Sequence, residues 1–314
     1  MQETSEITDY GQEDIIRRDI NCNLGSLNIS NVMQPGDVFR DSVHVGIEAL
    51  TTVSDISDIQ NAPSVKKANE ELHAVGLGAM NLHGYLAKNK ISFESAEAKE
   101  FASVFFMMMN YYSIEKSMLI AKEKNEVFKD FDKSEYAKGT YFEKYIQKSF
   151  APQSKRVKEL FEGIYIPTPQ DWAELAQLVA EHGIYNAYRL AIAPTQSIGY
   201  IQNATASVMP VVNQIESRTY ANSTTYYPMP YMDETNFWFY KSAFDMNQFK
   251  IMDLIAAAQE HVDQGISTIL YVNSDVSTKE LARYYIYANE IGLKSLYYTR
   301  TRNLAIDECI ACAV

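Results

Sequence analysis

Apolar and polar positions follow a helical period over two long stretches of this chain. Apolar residues recur at helical spacing over Val38–Ile56. They do so again from Ser95 to about Lys124, where Phe101, Phe105, Met108, Tyr112 and Met118 fall near one face. Lys66–Asn89 also reads as helix, weakened by Gly76, Gly78 and Gly84. Three later helices carry punctuation. Thr168-Pro169 suits an N-cap followed by proline, with Gly183 as the stop. Ile251–Gln264 ends at Gly265, and Ser277-Thr-Lys-Glu280 is a capping box for Thr278–Ile291, stopped at Gly292. Short runs of strand character lie at Leu24–Ile29, Leu190–Ala193, Thr268–Val272 and Lys294–Thr299. Strand, helix and strand over 268–299 make a βαβ unit, so its two strands are expected to be parallel. Glu126–Pro167 is aromatic, charged and irregular, and the first fifteen residues are polar and acidic. The expected fold class is α/β, with ligands near the carboxyl ends of the strands.

Charge and composition narrow the function. Of 314 residues, 46% are hydrophobic and 22% charged, an ordinary globular balance. Lys+Arg total 28 against 40 Asp+Glu, a net charge of -12, which argues against a binder of nucleic-acid polymers. The longest apolar stretch, Phe101–Met109, is too short to span a bilayer, and Met1 is followed by polar residues unlike a signal peptide. The expectation is a soluble, cytoplasmic protein with no membrane partner.

Three cysteines are too few for a disulfide scaffold. Cys309-Ile-Ala-Cys312 is open to three readings: a zinc half-site, a redox pair or chance. Zinc lacks further ligands, whereas an accessible terminal dithiol suits thiol–disulfide exchange with a partner. Cys22, taken alone, reads as a buried structural thiol. Ala193-Pro194-Thr195-Gln196-Ser197-Ile198 follows a strand and has the hydroxyls and amides to cradle a phosphate, although from spacing alone a polar turn, being common, is the favoured reading. Tyr297-Tyr298 closes the last strand, where core packing is the default for aromatic residues. Gly76-Leu-Gly78 with Gly84 does not match a dinucleotide fingerprint, and His73 and His83 read as structural.

Together these segments resemble one family, the large (alpha) subunit of ribonucleotide reductase, class Ib, over its second half. The resemblance rests on Cys22-Asn-Leu-Gly-Ser-Leu-Asn-Ile29, Gly76-Leu-Gly-Ala-Met-Asn-Leu-His-Gly-Tyr-Leu86 and Ala193-Pro-Thr-Gln-Ser-Ile198. Asn203-Ala-Thr-Ala-Ser-Val-Met-Pro210, Tyr226-Tyr-Pro-Met-Pro230, His261-Val-Asp-Gln-Gly265, Leu296-Tyr-Tyr-Thr-Arg300 and the terminal Cys-x-x-Cys complete it, in the family's order. It implies reduction of ribonucleoside diphosphates to deoxyribonucleotides by radical chemistry inside a ten-stranded α/β barrel. This chain would carry about five parallel strands with helices, the second half of that barrel, over residues 16–300. Residues 1–15 would be a polar leader and 301–314 a flexible redox tail.

By resemblance, Cys22 is one of the two thiols that become a disulfide as they reduce the substrate. Tyr297 and Tyr298 are tandem, stacked phenols that relay the radical. Pro194, Thr195, Gln196, Ser197 and Ile198 hold the substrate diphosphate. Cys309 and Cys312 re-reduce the active-site disulfide and are themselves reduced by a thioredoxin- or glutaredoxin-like protein. The resemblance implies no metal or cofactor bound by this chain, since a metal-containing small (beta) subunit supplies the radical. The family's radical cysteine lies in an Asn-Leu-Cys-x-Glu motif that these 314 residues lack, and the partner of Cys22 is missing too. The expectation is therefore a split or truncated subunit that needs an amino-terminal half. A non-catalytic remnant that binds the small subunit is the alternative, and a stand-alone dithiol reductase a weaker third.

Overall fold

The computed structural model describes residues 15–19, 21–220 and 223–303. Residues 1–14 and the tail from 304 onward, with Cys309 and Cys312, lie outside the described residues. The chain opens with β1 (Asn23–Asn28), the single turn α1 (Ile29–Val32), α2 (Val38–Ile56) and α3 (Pro63–Leu72). Next come β2 (Val75–Met80), α4 (Leu82–Lys88) and the long α5 (Ala96–Lys124). Short helices α6 (Glu143–Gln147) and α7 (Lys155–Leu160) cross the irregular region before α8 (Pro169–His182) and α9 (Gln196–Ile201). The remainder is the hairpin β3 (Ile215–Tyr220) and β4 (Ser223–Pro228), then α10 (Gln248–Gln259), β5 (Ile269–Asn273), α11 (Thr278–Glu290) and β6 (Tyr298–Arg302). The class is mixed α/β, as expected.

Parallel pairing organises the molecule. β1 pairs with β2 in parallel, Asn23 opposite Val75 through Asn28 opposite Met80. β2 continues to the next segment through a parallel bridge of Leu77 with Leu190, and Ile192 bridges in parallel to Ile266. β5 and β6 then pair in parallel, Ile269 opposite Tyr298. Five parallel segments thus lie side by side in the order β1, β2, 188–192, 264–273 and β6. Leu190–Ala193 forms no regular strand: isolated bridges at Leu190 and Ile192, with backbone bonds between Ala191 and Leu77 and from Gln264 and Ser267, tie it to its neighbours.

β2 replaces the centre of the helix expected over Lys66–Asn89. It is buried along its whole length, as a parallel strand covered on both faces should be. Gly76 and Gly78, two residues apart, face the 191 segment. A Cβ on Gly78 would come within 2.4 Å of the Ala191 carbonyl oxygen, so glycine permits the close approach of the two backbones.

The helices wrap this arc. α2 has the bounds its pattern predicts and packs on β1, β2 and α5. α5 is capped by Ser95, whose side chain accepts from Ala98 N–H, but it is buried on all sides instead of along one stripe. Its neighbours α2, α8 and α10 surround it. α8 carries a full capping box between Thr168 and Asp171 and ends at Gly183 in positive φ. α10 stops at Gln259, five residues short of the expected end. Its Gln259 amide donates to the Val262 and Gln264 carbonyls and turns the chain. β6 starts four residues late, because Lys294 and Ser295 bond to carbonyls of residues 262, 263 and 266 before the ladder begins.

Candidate active site

Cys22 lies immediately before β1, and its side chain falls on the same face as Leu24. Both cover Gly76: a Cβ there would meet Leu24 Cδ2 at 2.6 Å, Cys22 Sγ at 2.7 Å and Ala191 Cβ at 3.0 Å. Only a residue without a side chain leaves room for the thiol on this surface. Burial, which disfavours the thiolate, pushes the Cys22 thiol up from 9.0 to about 11. A hydrogen bond from the Gln264 side chain works against that shift, and the Asp263 carboxylate adds to it. The thiol is therefore protonated at neutral pH.

Asp263 and Gln264 had no assigned role in the sequence reading, although both lie in the quoted His261–Gly265 motif. Gln264 Nε2 donates to the Val75 carbonyl at 2.8 Å, tying its amide to β2 beside the thiol. The Asp263 carboxylate accepts from the N–H groups of Arg189 and Leu190 at 2.8 and 2.9 Å. It also pairs with the Arg189 guanidinium at 3.2 Å. Arg189 is fully buried and donates to the Tyr136 hydroxyl at 2.7 Å. Burial opposes its charge, while Tyr136 and Asp263 hold it protonated. This buried ion pair fixes the third parallel segment beneath the site.

The expected phosphate loop opens a cleft against β1. Leu24, Gly25 and Ser26 form one wall, and 193–198 the other, around about 320 Å³. The lining provides hydroxyls of Ser26, Thr195 and Ser197, the Gln196 carboxamide and backbone groups, and no charged side chain. The first bond inside α9 runs from Gly199 N–H to the Thr195 carbonyl, so the N–H groups of Gln196, Ser197 and Ile198 precede the helical ladder. Thr195 Oγ1 accepts from Ser207 N–H at 2.7 Å, which leaves its O–H as the group it can offer. Pro194 to Ile198 and Cys22 are thus brought to one region by β1.

Tyr297 and Tyr298 stand at the other edge of the arc. They lie at the start of β6, not at its end, and are 60% and 45% exposed, so they are not core residues. Their ring centroids are 5.1 Å apart with planes at 60°, an edge-on contact in place of the expected stack. Tyr297 N–H donates to the Thr268 carbonyl. Of the two histidines read as structural, His83 is fully buried, accepting from Val211 N–H at Nδ1 and meeting the Phe239 carbonyl at Nε2. Among the described residues no group of His, Cys, Asp and Glu is placed to hold a metal ion, and no helix is long and apolar enough to cross a membrane.

A family model described as "Ribonucleotide reductase, barrel domain" matches residues 4–299. The chain belongs to that family. It is 51% identical over 312 residues to the ribonucleoside-diphosphate reductase subunit alpha of Bacillus subtilis, covering 99% of this chain and 44% of that protein. The subunit alpha of Mycoplasma pneumoniae is 40% identical, with 95% and 44% covered. That of Treponema pallidum is 34% identical over 295 residues, with 93% and 32% covered. The chain thus spans less than half the length of these relatives. Within the reductase barrel domain, the match runs from before Cys22 through Tyr298, so the thiol, the cleft and the tyrosine pair all fall inside it.

Proposed function

We propose that this chain forms the carboxy-terminal half of the ten-stranded catalytic barrel of a class Ib ribonucleoside-diphosphate reductase. It reduces ribonucleoside diphosphates to deoxyribonucleoside diphosphates when assembled with an amino-terminal half that carries the radical cysteine. The five parallel segments from β1 to β6 support the half-barrel reading. The observation that carries the functional reading is the placement of Cys22 and Leu24 on one face, with Leu24 forming a wall of the cleft.

In this reading the diphosphate sits against Pro194–Ile198, held by hydroxyls and backbone N–H groups. The ribose then points along β1 toward Cys22. The thiyl radical on the amino-terminal half removes the 3′ hydrogen of the ribose. Cys22 and a second thiol each give one proton and one electron, the 2′ hydroxyl leaves as water, the 3′ hydrogen is returned to the ribose by the radical cysteine, and the two sulfurs join as a disulfide. A thiol held protonated by burial keeps the hydrogen this step consumes. Tyr297 and Tyr298 pass the radical from a metal-containing small subunit, each losing and regaining an electron and a proton. Their exposure leaves them open to a partner surface. Cys309 and Cys312 exchange with the active-site disulfide and are restored by a thioredoxin- or glutaredoxin-like protein.

The test is an assay of the chain alone, then with a co-expressed amino-terminal half, a radical-bearing small subunit and a dithiol reductant. Turnover is expected only from the full set. Turnover by this chain alone, or none from a set that demonstrably assembles, overturns the reading. The second outcome would leave a remnant that occupies the small subunit.

A further inference from the structure

The cleft has two walls from distant parts of the chain, and one buried amide joins their supports. Asn81 lies between β2 and α4, fully buried and in the left-handed region at φ 75°. Its Nδ2 donates to Asn28 Oδ1 at 3.0 Å and to Ser30 Oγ at 2.8 Å. Its Oδ1 accepts from Thr205 N–H at 3.0 Å, and its own N–H donates to the Thr205 carbonyl at 2.8 Å. Both amide hydrogens and the oxygen are used, as a buried amide requires.

Each partner leads to a wall. Asn28 ends β1, whose Leu24–Ser26 form one side of the cleft, and its own Nδ2 donates to the Gln202 carbonyl just past α9. Thr205 belongs to the turn 203–207, which holds the other side twice. Ala204 N–H bonds the Gly199 carbonyl inside α9, and Ser207 N–H bonds Thr195 Oγ1. Gly84 closes the fit: its N–H donates to Thr205 Oγ1 at 3.1 Å, and a Cβ on it would lie 2.2 Å from Asn81 Oδ1.

We infer that Asn81 is the positioning residue of the phosphate cleft, setting the gap between β1 and the 194–198 loop through Asn28 on one side and Thr205–Ser207–Thr195 on the other. This rests on the reading of 194–198 as the diphosphate loop. Asn81 touches no lining residue in this chain of bonds except through others, so it acts on binding by geometry. Displacing a binding group by about an ångström costs large factors in function, because hydrogen bonds to a phosphate are directional.

Inorganic pyrophosphate, titrated into the full chain by calorimetry, is the probe. Wild-type binding that Thr195→Val weakens is the expected baseline, and absence of wild-type binding overturns the cleft reading and this inference together. Asn81→Gly keeps the left-handed backbone while removing the amide, and should weaken pyrophosphate about tenfold. In the double variant Asn81→Gly/Thr195→Val the two losses should not multiply, since both cut one linkage. Losses that multiply would mean that Asn81 acts on binding by a route other than the Thr195 linkage, and a lowered melting temperature with binding unchanged would mean that it serves stability alone; either overturns the inference with the cleft reading intact. If Asn81→Gly fails to fold, Ser30→Ala removes one acceptor of the amide while the other stays. A two- to threefold loss, again non-multiplying with Thr195→Val, is expected, and unchanged binding counts against the inference.

Discussion

The sulfur of Cys22 rests on the backbone of Gly76, close enough that a methyl group there would lie 2.7 Å from it. A contact that short cannot persist, so Gly76→Ala must move the thiol, Leu24 or the Ala191 segment. Overpacking of this kind costs roughly 1–3 kcal/mol. A lowered melting temperature together with faster alkylation of a displaced, better hydrated Cys22 is expected. Unchanged stability and alkylation would mean that the 22–24 segment yields freely.

The thiol itself offers a direct measurement. Its alkylation rate should rise with a midpoint near pH 11 and be slow at neutral pH, because only the thiolate reacts. Removing the Gln264 amide, which favours the thiolate, should move that midpoint higher in Gln264→Leu. The folded-state value lies above the ordinary one, so the neutral thiol contributes stability that is complete below pH 9 and lost as pH climbs toward 11. Alkylation with a midpoint near 9 in the native protein would contradict the burial argument. Cys22→Ser serves as the control for labelling at any other cysteine.

The Arg189–Asp263 pair gives a third expectation. The guanidinium has no exposed surface and the carboxylate is 10% exposed. Asp263→Asn leaves a buried cation without its counter-charge and weakens the acceptors for two backbone N–H groups. A loss of about 3–5 kcal/mol follows for breaking one partner of such a pair. Chemical denaturation measures it, and a loss below about 1 kcal/mol would place the pair among ordinary surface contacts.

Much of this architecture is legible in the residues, and the gaps have physical causes. The bounds of α2, the start of α5 after Ser95 and the Thr168 cap and Gly183 stop of α8 are local signals, and they stand where the pattern puts them. β2 escaped because its glycines weaken a helix without announcing a strand. Their spacing of two becomes meaningful only beside Ala191, more than a hundred residues away. The end of α10 is decided by Asp263 and Gln264 reaching 189–190 and β2, again a distant contact. The site divides in the same way. Cys22, the 194–198 loop and the tyrosine pair stand out in the sequence by resemblance to the reductase family. The Asn28–Asn81–Thr205 linkage, by contrast, exists only once separations of 53 and 124 residues are closed.

Acid should unfold this protein early. His83 has its tautomer set by Val211 N–H at Nδ1 and the Phe239 carbonyl at Nε2, so protonating it destroys an accepted bond. Burial pushes it down from 6.5 to about 4. His261, facing the Tyr145 hydroxyl at 3.0 Å, is pushed by burial to about 3, with Lys144 and Lys148 adding to the effect. Both values lie below those of the unfolded chain, so the unfolded state binds more protons. The stabilisation is full above pH 6.5 and is lost as pH falls toward 4 and then 3. His83 accounts for a loss on the order of 3 kcal/mol across its window and His261 for one on the order of 5 kcal/mol. A denaturation midpoint that stays constant from pH 7 to 4, or a slope unaltered by His83→Gln, would refute this.

The tyrosine pair carries the last expectation, and it separates relay from packing. Both residues are exposed, so Tyr297→Phe and Tyr298→Phe, each deleting one oxygen, should change stability by no more than about 0.5 kcal/mol. Phenylalanine preserves the edge-on ring contact but has no phenolic proton to give up, so a radical cannot pass through it by coupled loss of electron and proton. If the proposed assembly and relay hold, either single substitution should abolish the turnover of that assembly while leaving pyrophosphate binding at the cleft and association with the proposed small subunit unchanged. Persistent turnover in both variants would remove the pair from the radical path. A large loss of stability would instead mean that their neighbours on β5, Tyr271 among them, depend on the hydroxyls for packing.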